Sequence, residues 1–231
     1  QIDTSTFTIE SRIPLASGSM DYGAQMMDAA GNYGYFTTCN SSSPKVFKMD
    51  INPASGTYKQ VVTTSSALEV ATTGSGNRCT RSMVMDETDG PGYIYIGQRS
   101  SGAIPGQIHK VRMTDLVKIS SITLPAGFDQ VNALAIDKIG RNLYAGLGTI
   151  PGKIAKVDLT SFTHSATISL NATEDKVKTL GFDPATNYLY AAVQGAIYAN
   201  YIQPDNIIKI AYDPRLQVHT AWDLGVGDST A

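Results

Sequence analysis

Charge is what this sequence has least of. Only 16% of its 231 residues are Asp, Glu, Lys or Arg, against about 25% in an ordinary soluble domain. Eighteen cations stand against twenty anions, a formal net charge of −2. Nucleic acid is excluded as a partner, since phosphate binding needs clustered cationic charge. No apolar run approaches the roughly 20 residues of a membrane helix, so membrane insertion is excluded as well. No stretch keeps a 3.6-residue apolar period over ten residues with caps, which argues against an α or α/β class. Nucleophile elbow, H-E-x-x-H, EF-hand loop and P-loop are all absent, so no catalytic residue, metal or cofactor is expected. What fills the gap is apolar material (42%) together with Ser, Thr, Gly, Asn and Tyr. That is ample for a core and argues against disorder.

A repeat organises the chain. Ile154–Asp158, Ala166–Leu170, Leu180–Asp183 and Asn187–Tyr190 form one unit of four short segments, a to d. Ile108–Arg112, Ser121–Leu124, Ala133–Asp137 and Arg141–Tyr144 precede it, with Asp158, Asp183 and Tyr190 each 46 residues beyond their counterparts. Looser copies run through Gln1–Tyr35 and Phe47–Tyr95, and Ile207–Ile210 with Ala221–Leu224 open a fifth. Alternating apolar positions such as Ile122/Leu124 and Ile168/Leu170 read as half-buried strands. Between c and d an Asp is followed by Gly or Asn: Asp28 and Gly31, Asp86 and Gly90, Asp137 and Gly140, Asp183 and Asn187. Asp mimics a backbone turn and Gly or Asn accepts positive φ, so turn formation outweighs any catalytic role for these carboxylates. Four strands per unit of about 46 residues predict an all-β β-propeller of four-stranded blades. The expected units are 1–45, 46–107, 108–153 and 154–206, with 207–231 as half of a fifth in a single domain 1–231.

The run K-V-D-x-x-x-F-T-x-x-x-x-I-x-L…F-D-P-x-x-x-x-L-Y resembles the blades of extracellular YVTN-like β-propeller repeat proteins. It departs from WD40 repeats, because Trp222-Asp223 falls in segment b, and from kelch repeats, because no double-Gly motif is present. The resemblance implies a fold and no activity.

In such a blade the d–a and b–c connections share one end. The extra length at 65–77, 98–107 and 193–206 falls there, making that end the expected interaction face. Arg78, Arg81, Arg99, Tyr198 and Tyr201 are its binding candidates, Arg and Tyr being typical anchors for partners. Cys39 and Cys79 lie at the same end in adjacent units and read as a disulfide. Asn40 and Asn171 open N-x-[ST] sequons, and with the low charge and the even cysteine count they point to an extracellular or cell-surface protein. Glu174-Asp175 is too few ligands for calcium and reads as a solvated loop. His109, His164 and His219 fall in different units, and nothing forces them to converge.

The final half unit leaves three readings: a fragment of a longer propeller, an imperfectly closed ring, or completion by a neighbouring subunit. Two functions follow. One is a non-catalytic structural or adhesive protein, a repeating subunit of a surface filament whose partners are other copies or a surface protein. The other is a glycan-binding or polysaccharide-cleaving propeller using the long loops.

Overall fold

The computed structural model of the chain describes residues 2–3, 8–9, 22–39, 44–68, 79–99, 105–195, 197–198, 201–202, 205–211 and 221–223. Every regular element among them is a strand. A hairpin, β1 (Ile2–Asp3) with β2 (Thr8–Ile9), comes first. Four antiparallel four-stranded sheets follow. Blade 1 holds β3 (Tyr22–Met27), β4 (Tyr33–Thr38), β5 (Val46–Asp50) and β6 (Val61–Thr64). Blade 2 holds β7 (Cys79–Asp86), β8 (Tyr93–Arg99), β9 (Gln107–Arg112) and β10 (Lys118–Thr123). Blade 3 holds β11 (Val131–Asp137), β12 (Asn142–Leu147), β13 (Lys153–Asp158) and β14 (Thr163–Ser169). Blade 4 holds β15 (Glu174–Asp183), β16 (Tyr188–Gly195), β19 (Asn206–Ala211) and β20 (Ala221–Asp223), with a small hairpin of β17 (Ile197–Tyr198) and β18 (Tyr201–Ile202) inserted between β16 and β19.

The period of the repeat holds, but its boundaries shift by half a unit. Each sheet takes segments c and d from one repeat and a and b from the next. The d–a links join neighbouring strands within a sheet, whereas b–c carries the chain into the next sheet. The segments at 207–211 and 221–223 therefore complete blade 4 instead of starting a fifth. The half unit left over is the β1–β2 hairpin at the other end.

Strands β3, β7, β11 and β15 neighbour one another in turn and form the inner edge. The core lies between the sheets in three clusters. Tyr35, Val46, Met83 and Ile94 join blades 1 and 2; Tyr95, Ile108, Val131 and Leu143 join 2 and 3; Ala135, Ile154, Val177 and Leu189 join 3 and 4. Two glycines mark how tightly neighbouring blades fit. A Cβ on Gly97 or Gly146 would sit 2.5 Å from a methyl of Val131 or Val177 in the following blade.

The sheets share a device the repeat pattern did not reveal. In every blade a Tyr of segment d lies directly across from a Lys of segment a: Tyr35–Lys48, Tyr95–Lys110, Tyr144–Lys156 and Tyr190–Lys209. In blades 1, 2 and 4 the ammonium sits 4.0, 4.0 and 3.7 Å over the ring of Tyr33, Tyr93 and Tyr188. Burial of Lys48 lowers its pKa despite the nearby Asp28, and burial pushes the Tyr95 hydroxyl up to about 12. A cation over an aromatic face recovers part of the hydration lost on burial.

The repeated aspartates are turn formers, as the pattern predicts. Asp28 accepts from the N–H groups of Asn32 and Tyr33, Asp137 from Gly140 N and Asp183 from Ala185 N. Asp86 accepts from Thr88 N and also ties two blades together. Its carboxylate meets Arg141 at 2.5 Å, and the other guanidinium arm meets Asp89 at 2.6 Å.

Candidate functional site

The d–a/b–c end is built on four β-bulges at one level of the inner strands. Pairing slips between Tyr22 and Gln25, Thr80 and Ser82, Val131 and Ala133, and Val177 and Thr179. β15 carries a second slip, between Asp175 and Val177. Bulges re-aim side chains and recur beside functional sites. The extra residue stands five positions before the repeated Asp in every blade: Gly23, Arg81, Asn132 and Lys178. Arg81 and Lys178 are exposed, and Asn132 and Lys176 are half-buried. Asn132 Nδ2 donates to Val177 O at 3.2 Å, spanning blades 3 and 4 at this level. Thr80 Oγ1 donates to Thr38 O at 2.9 Å, spanning blades 1 and 2. Three of the four bulged residues are thus polar, two of them cations. Sequence reasoning singled out Arg81 alone. The signal for the others was available, because the fifth residue before each aligned Asp breaks the apolar alternation.

Arg99 ends β8 opposite Cys79, so Arg81 and Arg99 lie on paired strands of blade 2. Cys39 and Cys79 form a disulfide beside them, with Cα atoms 4.2 Å apart, linking the end of blade 1 to the start of blade 2. The backbones of Tyr198 and Tyr201 are register partners in the β17–β18 hairpin of blade 4, two blades away. Arg78 and Asn40 lie outside the described residues, as does His219. Asn171 is exposed in the link between blades 3 and 4, with Ala172 and Thr173 exposed beside it.

Two expectations about this end change. Long connections are not confined to it: the link 51–60, between segments a and b of blade 1, lies at the opposite end. Loop length therefore does not single out a face, because segment a-to-b links also vary freely where they run over the surface. Glu174 and Asp175 are not a solvated loop either. They begin β15, and each is only 6% exposed, since the d–a link of blade 3 pairs with them through Gly152 N to Glu174 O and Lys176 N to Thr149 O.

His109 and His164 stay apart. His109 is buried against Gln98 Oε1 at 2.8 Å on blade 2, and His164 bonds Thr167 at 2.8 Å on blade 3. Among the described residues no three His, Cys, Asp or Glu side chains converge. What this end offers chemically is exposed cations, Arg81 and Lys178, and the Asn132 amide along the inner strands, suited to meeting an anionic group.

No family model and no curated protein matches the chain. Solved structures do. The chain is similar to hydrazine synthase of Kuenenia stuttgartiensis, at 16% identity and a TM-score of 0.72 over 98% of this chain and 59% of that one. Sqt1 of Chaetomium thermophilum bound to the N-terminus of ribosomal protein L10 matches at 17% identity and 0.59, over 87% of this chain and 49% of that one. The RRP9 WD40 repeats match at 10% identity and 0.60, over 91% and 53%. The chain thus spans about half to three fifths of the length of these structures. At such identities the likeness concerns architecture alone, and the architecture is that of a β-propeller.

Proposed function

We propose that this chain is a non-catalytic interaction propeller that binds protein through its d–a/b–c end, and that its partner there is another copy of the chain or a surface protein outside the cell. The observation that carries the reading is the bulged inner-strand level, which sets Arg81 and Lys178 in solvent at equivalent positions of blades 2 and 4. Arg99 and Lys176 add to the positive charge of the same end. With a net charge of −2 for the whole chain, cations gathered at one end leave an acidic excess elsewhere, which complements that end on a second copy. Such a contact is heterologous and builds filaments instead of closed dimers. The disulfide and the exposed Asn171 sequon support placing the protein in an oxidising, secretory setting. Similarity to Sqt1, crystallised with a segment of another protein, fits a binding propeller.

Sedimentation of the full chain against its R81E/R99E variant tests this. Concentration-dependent association that weakens with salt and is lost on charge reversal is expected. A wild-type chain that stays monomeric in low salt and captures only acidic glycans would point to the carbohydrate reading and overturn this one.

A further inference from the structure

The three junctions between blades are built from the same two faces each time. Val46, Ile108 and Ile154 stand two residues before the repeated Lys of segment a, and each is at most 1% exposed. The residue before the repeated Asp of the following blade belongs to the same cluster in every case: Met85 with Val46, Ile136 with Ile108, and Phe182 with Ile154. The chain carries one more member of each set. Ile207 stands two residues before Lys209 on blade 4 and is 60% exposed, and Met27 precedes Asp28 on blade 1 and is 64% exposed. Tyr190, the counterpart of the buried Tyr35, Tyr95 and Tyr144, is only half-buried. The chain does not close on itself to cover them. Strands β3, β7, β11 and β15 adjoin in turn, but no comparable junction joins β15 to β3 among the described residues. Blade 4 thus presents one half of a junction, and blade 1 presents the other.

We propose that a second copy of the chain supplies the missing halves: the open face of blade 4 in each copy packs on blade 1 of the other, and two copies close one ring. The choice of partner follows from complementarity. At each junction inside the chain, the Ile207 position is covered by the face that carries the Met27 position, and every copy holds both. It follows also from the arc that four blades span. The chain accounts for 59, 49 and 53% of the three propeller structures it resembles, so two copies hold about as many blades as one such ring. Four blades from each copy make eight, the upper end of the usual range of about four to eight. A two-fold axis relates the two junctions, so this assembly is closed, and the apolar side chains it removes from water drive it. It involves neither Arg81 nor Arg99, and so goes beyond the end-on contact proposed above without resting on it.

Sedimentation of the full chain in about 1 M sodium chloride separates the two contacts, because exposed charges are then screened beyond about 3 Å. A discrete dimer is expected under those conditions in the wild type and in R81E/R99E alike. Ile207→Lys and Met27→Lys should each weaken it about 100-fold or more, since the ring would then bury two unpaired ammonium groups. Both side chains are exposed in the single chain, so each variant should fold, which circular dichroism checks. Mixing the two variants should restore part of the dimer, because the blade 4 face of one and the blade 1 face of the other are intact. In the wild type, peroxide oxidation of Met27 should slow as chain concentration rises. A wild type that stays monomeric in 1 M salt, with Met27 oxidised at a rate independent of concentration, overturns the proposal. So does a dimer that survives both Lys substitutions, or one that is lost only in R81E/R99E. Should either Lys variant fail to fold, the wild-type sedimentation and Met27 oxidation still decide.

Discussion

Replacing Arg141 with Met should loosen the junction between blades 2 and 3 in a pH-dependent way. Arg141 reaches from the c–d turn of blade 3 to Asp86, whose side chain is fully buried, and to Asp89, which is 40% exposed. Breaking a buried pair by removing one partner costs about 3–5 kcal/mol. Two features reduce that figure. Thr88 still donates to Asp86 through its N–H and its hydroxyl, and the Arg141 side chain is 30% exposed. About 2–3 kcal/mol for the Asp86 arm is reasonable, and the exposed Asp89 arm adds less than about 1 kcal/mol. At about 2–4 °C per kcal/mol for a chain of this length, Tm should fall by roughly 4–16 °C at neutral pH. The direction with pH follows from Asp86. Burial alone would raise its pKa, but the Thr88 hydrogen bonds and the Arg141 guanidinium outweigh burial and hold it below the ordinary value. A carboxyl depressed in the folded state contributes stability above its unfolded pKa of about 3.9 and loses it as pH falls through the folded pKa. The gap between wild type and Arg141→Met should therefore be widest near pH 7 and close below about pH 4. Urea unfolding followed by far-ultraviolet circular dichroism at several pH values measures it. A cost under about 0.5 kcal/mol, or one that does not change between pH 7 and pH 3, would refute the reasoning.

Two further outcomes follow from packing and from the covalent link. Gly146→Ala should destabilise by about 1–3 kcal/mol, because the added methyl meets Val177 of the next blade. Val177→Ala introduced in the same chain should recover part of that loss in urea unfolding, and purely additive losses would show that the contact is not the cause. Replacing both Cys39 and Cys79 with Ser should cost about 4 kcal/mol in the chain-entropy model for a separation of 40 residues. Unfolding of the reduced wild type should coincide with that of the double variant, and a large gap between them would mean that serine burial, not the lost crosslink, dominates.

Much of the architecture was legible in the residues. The 46-residue period, the alternating Ile and Leu of segment b and the recurring Asp turns predict four-stranded blades, because each is a local requirement of strand or turn. The disulfide was legible too, since both cysteines fall at one end of adjacent repeats. The phase of the blades was not. A repeat has no intrinsic starting point, and it is the pairing of each segment d with the following segment a, as in Tyr188–Gly195 with Asn206–Ala211, that shows the sheet running c-d-a-b across the unit boundary.

The candidate site divides along the same line. Arg81 stood out as an arginine at the expected interaction face, but its kinship with Asn132 and Lys178 appears only when the bulges align. Glu174 and Asp175 read as a solvated loop because two adjacent carboxylates supply too few ligands for calcium. Their burial depends on residues 149–152 folding back over them, a contact made by backbone hydrogen bonds and by the close approach that Gly152 permits. The scarcity of charge and the period of the repeat, both properties of the chain alone, determined that this is an all-β propeller with apolar interfaces between its sheets. Which of its few charges are exposed and which are enclosed was decided by tertiary structure, because burial is set by the neighbouring blade and not by the residue's own segment.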